Sequence, residues 1–240
     1  MTKKRILIFQ HLAIEHPGIF REFFKKDKFE LFTVELNEGE QIPNLNDFDA
    51  LWVLGGPMDV WQGDKYPWLV EEKAAIRTAV NDLKMPYVGV CLGHQLLADA
   101  LGGEVGPGDK TEVGIMQIKK TDAGKHSPFF IGMPETMNCL QWHAAEVKVA
   151  PVEMDVLASS EGCGIQALSM GTHVFSMQYH QEIIETTISD WSEIPAYKRA
   201  LEKALGDNGA ALLDKTAKDH MQEFNNSARQ LYENWKSAVF

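Results

Sequence analysis

Apolar residues in the first part of the chain come in four short unbroken runs: RILIFQ (5–10), ELFTVEL (30–36), ALWVLGG (50–56) and PYVGV (86–90). Runs that are continuous rather than alternating predict strands buried on both faces. Segments of helical period lie between some of them. PGIFREFFKK (17–26) opens on a proline and pairs Ile19 with Phe23, and Phe20 with Phe24, at i,i+4 spacing. PWLVEEKAAIRTAVNDL (67–83) also opens on a proline and turns Leu69, Ala75, Ile76 and Val80 inward. CLGHQLLADALGG (91–103) has a helical pattern that stops at a glycine pair. Strands alternating with helices predict a mostly parallel sheet covered on both faces, an α/β fold.

From about residue 112 the pattern changes. VGIMQIKKT, TMNCLQWH, AEVKVA, DVLASSEG, IQALSMG and HVFSMQYH are closely spaced strand-like pieces with turn signals between them. They predict added β-hairpins, with the last strand returning to the main sheet. After Gln181 the chain reads as helical. Pro195 opens PAYKRALEKALG, and a longer amphipathic helix spans about Ala210 to Ala238. Apolar positions across the helical part, Trp191, Leu205, Leu212, Leu213, Phe224, Leu231 and Trp235, predict packing or an oligomer face. The expected organisation is one compact domain over 1–240, with a core at about 3–185 and a helical extension at about 186–240.

Composition narrows the possible functions. The chain has 240 residues, 45% hydrophobic and 24% charged, with a net charge of −11. That balance is ordinary for a globular protein. The negative charge argues against a nucleic-acid partner, which would need a basic face. No run approaches a membrane-spanning length, so no membrane partner is expected. At the N-terminus, Gln10 and His11 break the apolar run and no small-residue cleavage site follows. Three cysteines, Cys91, Cys139 and Cys163, make no disulfide framework and point to a reducing cytoplasm.

The chemistry concentrates in Gly89-Val90-Cys91-Leu92-Gly93. This G-x-nucleophile-x-G pattern sits where a strand gives way to a helix. Such a turn strains the nucleophile's backbone, and the flanking glycines allow close approach of neighbouring chain. The thiol would stand above the carboxyl ends of the strands, at a helix N-terminus that favours negative charge. A cysteine nucleophile needs a base, and the base an orienting group. His180 ends an apolar run, and Glu182 lies two residues on, on the same side of an extended chain. A satisfied structural histidine remains the alternative. His11, Glu15 and His16 belong to no metal-site pattern, so neither a metal nor a cofactor is expected.

GVCLGHQ (89–95), GGPM (55–58) and HQE (180–182), in this order and spacing, resemble the triad-type class I glutamine amidotransferases over about residues 3 to 185. The resemblance implies a flavodoxin-like fold and a cysteine that attacks a glutamine side-chain amide. It implies Cys91 as nucleophile, His180 as acid/base and Glu182 as orienter. The family's triplet is usually His-Pro-Glu; here Gln181 replaces the proline. The implied oxyanion donors are the N–H groups of Leu92 and Gly56. Gln95, one helical turn from Cys91, is implied to contact substrate, while His94 points elsewhere. Met58 and Trp61 either wall the pocket or anchor a surface loop. LQWHAAEV (140–147) resembles a substrate-side segment that often reads Trp-His-Gly-Asp, but Ala144 and Ala145 stand where Gly-Asp would be. His143 belongs either to this substrate side or to the structure. Cys139 and Cys163 are expected to fill core or loop space.

The resemblance implies glutamine or another γ-glutamyl small molecule as substrate, with ammonia released to a separate synthetase subunit or to solvent. Two alternatives stay open. One is a peptidase acting on γ-glutamyl compounds other than glutamine. The other is a non-catalytic binding or regulatory module.

Overall fold

A computed structural model describes residues 3–240. The four apolar runs form β1 (Arg5–Gln10), β2 (Glu30–Glu35), β3 (Ala50–Val53) and β4 (Tyr87–Val90). All pair in parallel, in the order β2-β1-β3-β4. Their residues alternate between two cores. Ile6, Ile8, Trp52, Val88 and Val90 face α1 (Phe20–Lys26) and the C-terminal helix. Leu7, Phe9, Leu51, Val53 and Tyr87 face α2 (Trp68–Arg77) and α3 (Leu92–Ala100). Both faces of β1, β3 and β4 are covered, which is why these strands carry no polar alternation. β2 departs from the expectation: at the sheet edge it fully buries only Val34 and leaves Glu30 and Thr33 exposed. The last turn of the second helical segment, Thr78–Asp82, widens to a π-turn.

Five more strands extend the sheet: β5 (Glu104–Lys120), β6 (Thr136–Val149), β7 (Asp155–Ser159), β8 (Ala167–Met170) and β9 (Val174–Met177). As expected, the last strand returns: β9 pairs in parallel with β4. The remaining pairs are antiparallel, and the sheet has nine strands among the described residues. Two boundaries differ from the expectation. TMNCLQWH and AEVKVA are one strand, β6, rather than two. Its partner β5 already begins at Glu104, well upstream of Val113, where the VGIMQIKKT run begins. Register shifts interrupt the β5–β6 pairing, including one between Pro107 and Glu112. That bulge absorbs the irregularity, so β6 runs through Ala144 and Ala145 without a turn.

A short α4 (Asp122–His126) follows β5. The helical part comprises α5 (Thr187–Ser192), α6 (Pro195–Leu205) and α7 (Gly209–Val239). Trp191, Leu213 and Phe224 pack with Leu140 and Trp142 of β6. Leu231 and Trp235 join the sheet core, where Trp235 meets Trp52 edge-on at 5.2 Å. Leu205 and Leu212 do not pack inward: at the α6–α7 junction they are 42% and 65% exposed.

His94, on α3, is fully buried, with Nδ1 2.9 Å from Ser176 Oγ of β9. Burial pushes its pKa down to about 3.

This packing has measurable consequences. Trp235→Ala should lower unfolding free energy by about 3–5 kcal/mol in urea titrations; a loss below about 1 kcal/mol would mean that α7 is not part of the core. His94 is neutral when folded, whereas its unfolded form takes up a proton below about pH 6.5. The neutral ring therefore weakens the fold as pH falls from 6.5 towards 3. Between about pH 7 and 5 the wild type should lose on the order of 2 kcal/mol more than His94→Asn. Equal losses would contradict a neutral His94.

Candidate active site

Cys91 lies between the end of β4 and the start of α3, with φ 51° and ψ −102°. Non-glycine residues rarely adopt this backbone, which costs about 1–3 kcal/mol. Its surroundings hold it there. The Cys91 N–H donates to the Met177 carbonyl at 2.8 Å, and its own carbonyl accepts from His94 and Gln95 at 3.0 and 3.2 Å. Gly93 lets the turn press against β3: a Cβ there would overlap the Val53 carbonyl.

His180 follows β9. Its N–H donates to the Leu140 carbonyl of β6 at 2.9 Å, which fixes the backbone that carries the ring. Its Nδ1 lies 2.5 Å from Glu182 Oε1, and both side chains are buried. Burial by itself lowers the imidazole's pKa, but Glu182 and Cys91 outweigh it and raise the pKa well above its usual value. His180 Nε2 has no completed hydrogen bond. Such contacts are often loose before substrate binds. The Trp191 ring meets the imidazole edge-on at 4.6 Å.

Cys91, Gly56, Met58, Gln95 and His143 border one cavity of about 150 Å³. Leu92 lies beside it, at the start of α3. Among the described residues, no backbone carbonyl accepts the N–H of Gly56 or Leu92. A Cβ on Gly56 would come within 2.9 Å of Leu92 Cδ2 and 3.0 Å of His11 Cβ. Gln95 Nε2 donates to the Ala145 carbonyl and to Gln178 Oε1, both at 3.0 Å. Both its amide hydrogens are thus engaged by protein. His143 places Nδ1 3.0 Å from the Ala145 carbonyl and Nε2 3.0 Å from Glu112 Oε2. Trp61 is 48% exposed and does not border the cavity.

Several neighbours have no signal in the motifs. Gln178 Nε2 lies 3.7 Å from Cys91 Sγ. Glu15 is buried and accepts a hydrogen bond from the Tyr197 hydroxyl. Burial raises the Glu15 pKa, against the opposing charge of His180. Tyr197, with Ala196 and Ala200, brings α6 to the cavity wall. The alternation of β9 could have suggested Gln178, two residues before His180 on the approach from Ser176. Glu15 and Tyr197 come from distant segments and meet only through tertiary packing.

His11, Glu15 and His16 do not converge on one point: His11 pairs with Glu72, and His16 faces the Gly18 N–H and Arg21. Cys139 is buried in the sheet core. Cys163 is also buried and lies with Glu112 and His143, their ligand atoms within 4.8 Å of one another. Ser160 and Gln166 also donate to Glu112.

The class I glutamine amidotransferase family model matches residues 19–190. A glutamine-hydrolysing GMP synthase component of Thermococcus kodakarensis is 33% identical over 150 residues, 62% of this chain and 78% of that protein. A glutamine amidotransferase-like protein of Salmonella typhimurium is 29% identical over 182 residues, 74% of this chain and 75% of that protein. A glutamine amidotransferase structure from Thermotoga maritima superposes with a TM-score of 0.87 at 28% identity, covering 98% of this chain and 99% of that one. With the family model spanning most of the chain, this protein belongs to the class I glutamine amidotransferases.

Proposed function

We propose that the protein hydrolyses a γ-glutamyl amide through a thioester on Cys91. The observation that carries this reading is the buried Cys91–His180–Glu182 grouping beside a cavity bordered by Gly56. The Cys91 sulfur attacks the amide carbon, and the carbonyl electron pair moves onto oxygen. The N–H groups of Leu92 and Gly56 receive that charge. The oxyanion collapses, the C–N bond breaks, and His180 gives its proton to the leaving nitrogen. His180 then takes a proton from water, which attacks the thioester and releases glutamate and the thiolate. Glu182 holds the ring through Nδ1 and favours its charged form. Gln95, Met58 and His143 line the substrate's binding space.

This chain's own helices contribute a wall of the cavity. Ala196, Tyr197 and Ala200 of α6 border the cavity, beyond the family match at 19–190. This favours a hydrolase that works without a synthetase partner, on glutamine or on a γ-glutamyl compound with another amine. The alternative arrangement passes ammonia to a separate synthetase.

Cys91→Ala and His180→Ala should each reduce turnover by about 10⁶, and Glu182→Gln by about 10⁴, with folding intact. Full hydrolysis by Cys91→Ala would overturn the mechanism. Purified protein should release ammonia or amine from at least one of glutamine, γ-glutamyl dipeptides and γ-glutamyl amines. Ligand binding without turnover of any of them would favour a binding module.

A further inference from the structure

A buried ion pair holds the Gly55–Gly56 peptide from behind. His11 directly follows β1, and both it and Glu72 of α2 are fully buried. His11 Nδ1 lies 2.8 Å from the Gly55 carbonyl oxygen, and Nε2 lies 2.9 Å from Glu72 Oε1. The Gly55 carbonyl can only accept, so Nδ1 donates to it; with Glu72 ionised, Nε2 donates as well and the ring is an imidazolium. Burial alone would lower its pKa; Glu72 and the Gly55 carbonyl outweigh burial and raise it. Trp68 stacks on the ring, with centroids 5.5 Å apart.

A buried ion pair is a poor source of stability, because desolvation offsets its Coulomb energy. Its geometry suggests another use. In a trans peptide the C=O and the following N–H point in opposite directions, and the described residues contain no cis peptide. A Gly55 carbonyl anchored on His11 therefore turns the Gly56 N–H away from His11. Gly56 borders the Cys91 cavity. Two adjacent glycines have little intrinsic preference to hold this orientation themselves.

We propose that His11, backed by Glu72, is a positioning residue that sets the Gly55–Gly56 peptide with its N–H aimed at the oxyanion. The proposal rests on the functional reading above. It assigns a catalytic consequence to a pair that touches neither substrate nor nucleophile.

The test compares three substitutions at His11. Asn carries a donor near the place of Nδ1, Gln carries one near the place of Nε2, and Ala carries none. His11→Ala and His11→Gln should lose about 10²–10³ in kcat on the γ-glutamyl substrate that the wild type hydrolyses. KM should stay within about threefold, because the interaction is made in the transition state. His11→Asn should keep kcat within about tenfold of wild type. Cys91 alkylation by iodoacetamide, which forms no oxyanion, should proceed at the wild-type rate in all three. Crystals of His11→Gln should show the Gly55 carbonyl turned from its present direction. Equal kcat in the folded Asn and Gln variants, or an unturned peptide, would overturn the proposal. If the wild type hydrolyses no γ-glutamyl compound, the functional reading fails, and the peptide direction in the variant crystals alone decides the positioning claim.

Discussion

The site depends on the close approach of α3 to β3 beneath Cys91. Gly93 sits against the Val53 carbonyl with no room for a side chain. The turn can therefore be tight enough to hold Cys91 at φ 51°, a conformation that its own covalent structure disfavours. The surrounding sheet supplies the compensation. β4 is flanked by β3 and β9, and the Cys91 N–H is itself bound to β9. Core packing thus sustains a strained residue at the sheet's carboxyl edge, where open α/β sheets hold ligands.

The same strand that steadies Cys91 leads to His180. β9 delivers the imidazole, β6 pins its backbone, and Glu182 engages Nδ1. Of the carboxylates around the ring, Glu182 raises its pKa most directly, and Glu15 is coupled to the same charge. The C-terminal helices close the arrangement: Trp191 packs on the imidazole, and Tyr197 binds Glu15. These helices therefore belong both to the hydrophobic core and to the cavity wall.

Much of this was legible in local patterns. Continuous apolar runs marked β1, β3 and β4 because both faces of those strands are buried, whereas β2 is a half-exposed edge strand. Proline starts and i,i+4 apolar pairs marked α1, α2 and α6. The G-x-C-x-G spacing placed Cys91 at a strand–helix junction because few other junctions require glycine on both sides. The continuity of β6 was not legible, since it depends on the register shifts of its pairing with β5. Nor were Glu15 and Tyr197: an isolated carboxylate and an isolated tyrosine have no period, and only folding joins them. The pairing of His11 with Glu72 has the same origin. In sequence Leu205 and Leu212 read only as packing or an oligomer face, and their exposure removes the first of these; hydrophobicity alone does not report which apolar positions of a helix meet the core.

The central claim is that Cys91 carries the γ-glutamyl group between the two halves of the reaction. Acid-quenching the enzyme during turnover and measuring the mass of its cysteine peptides tests this most directly. The account predicts a glutamyl adduct on the peptide containing Cys91. Turnover with no adduct there, or with the adduct on Cys139 or Cys163, would contradict it.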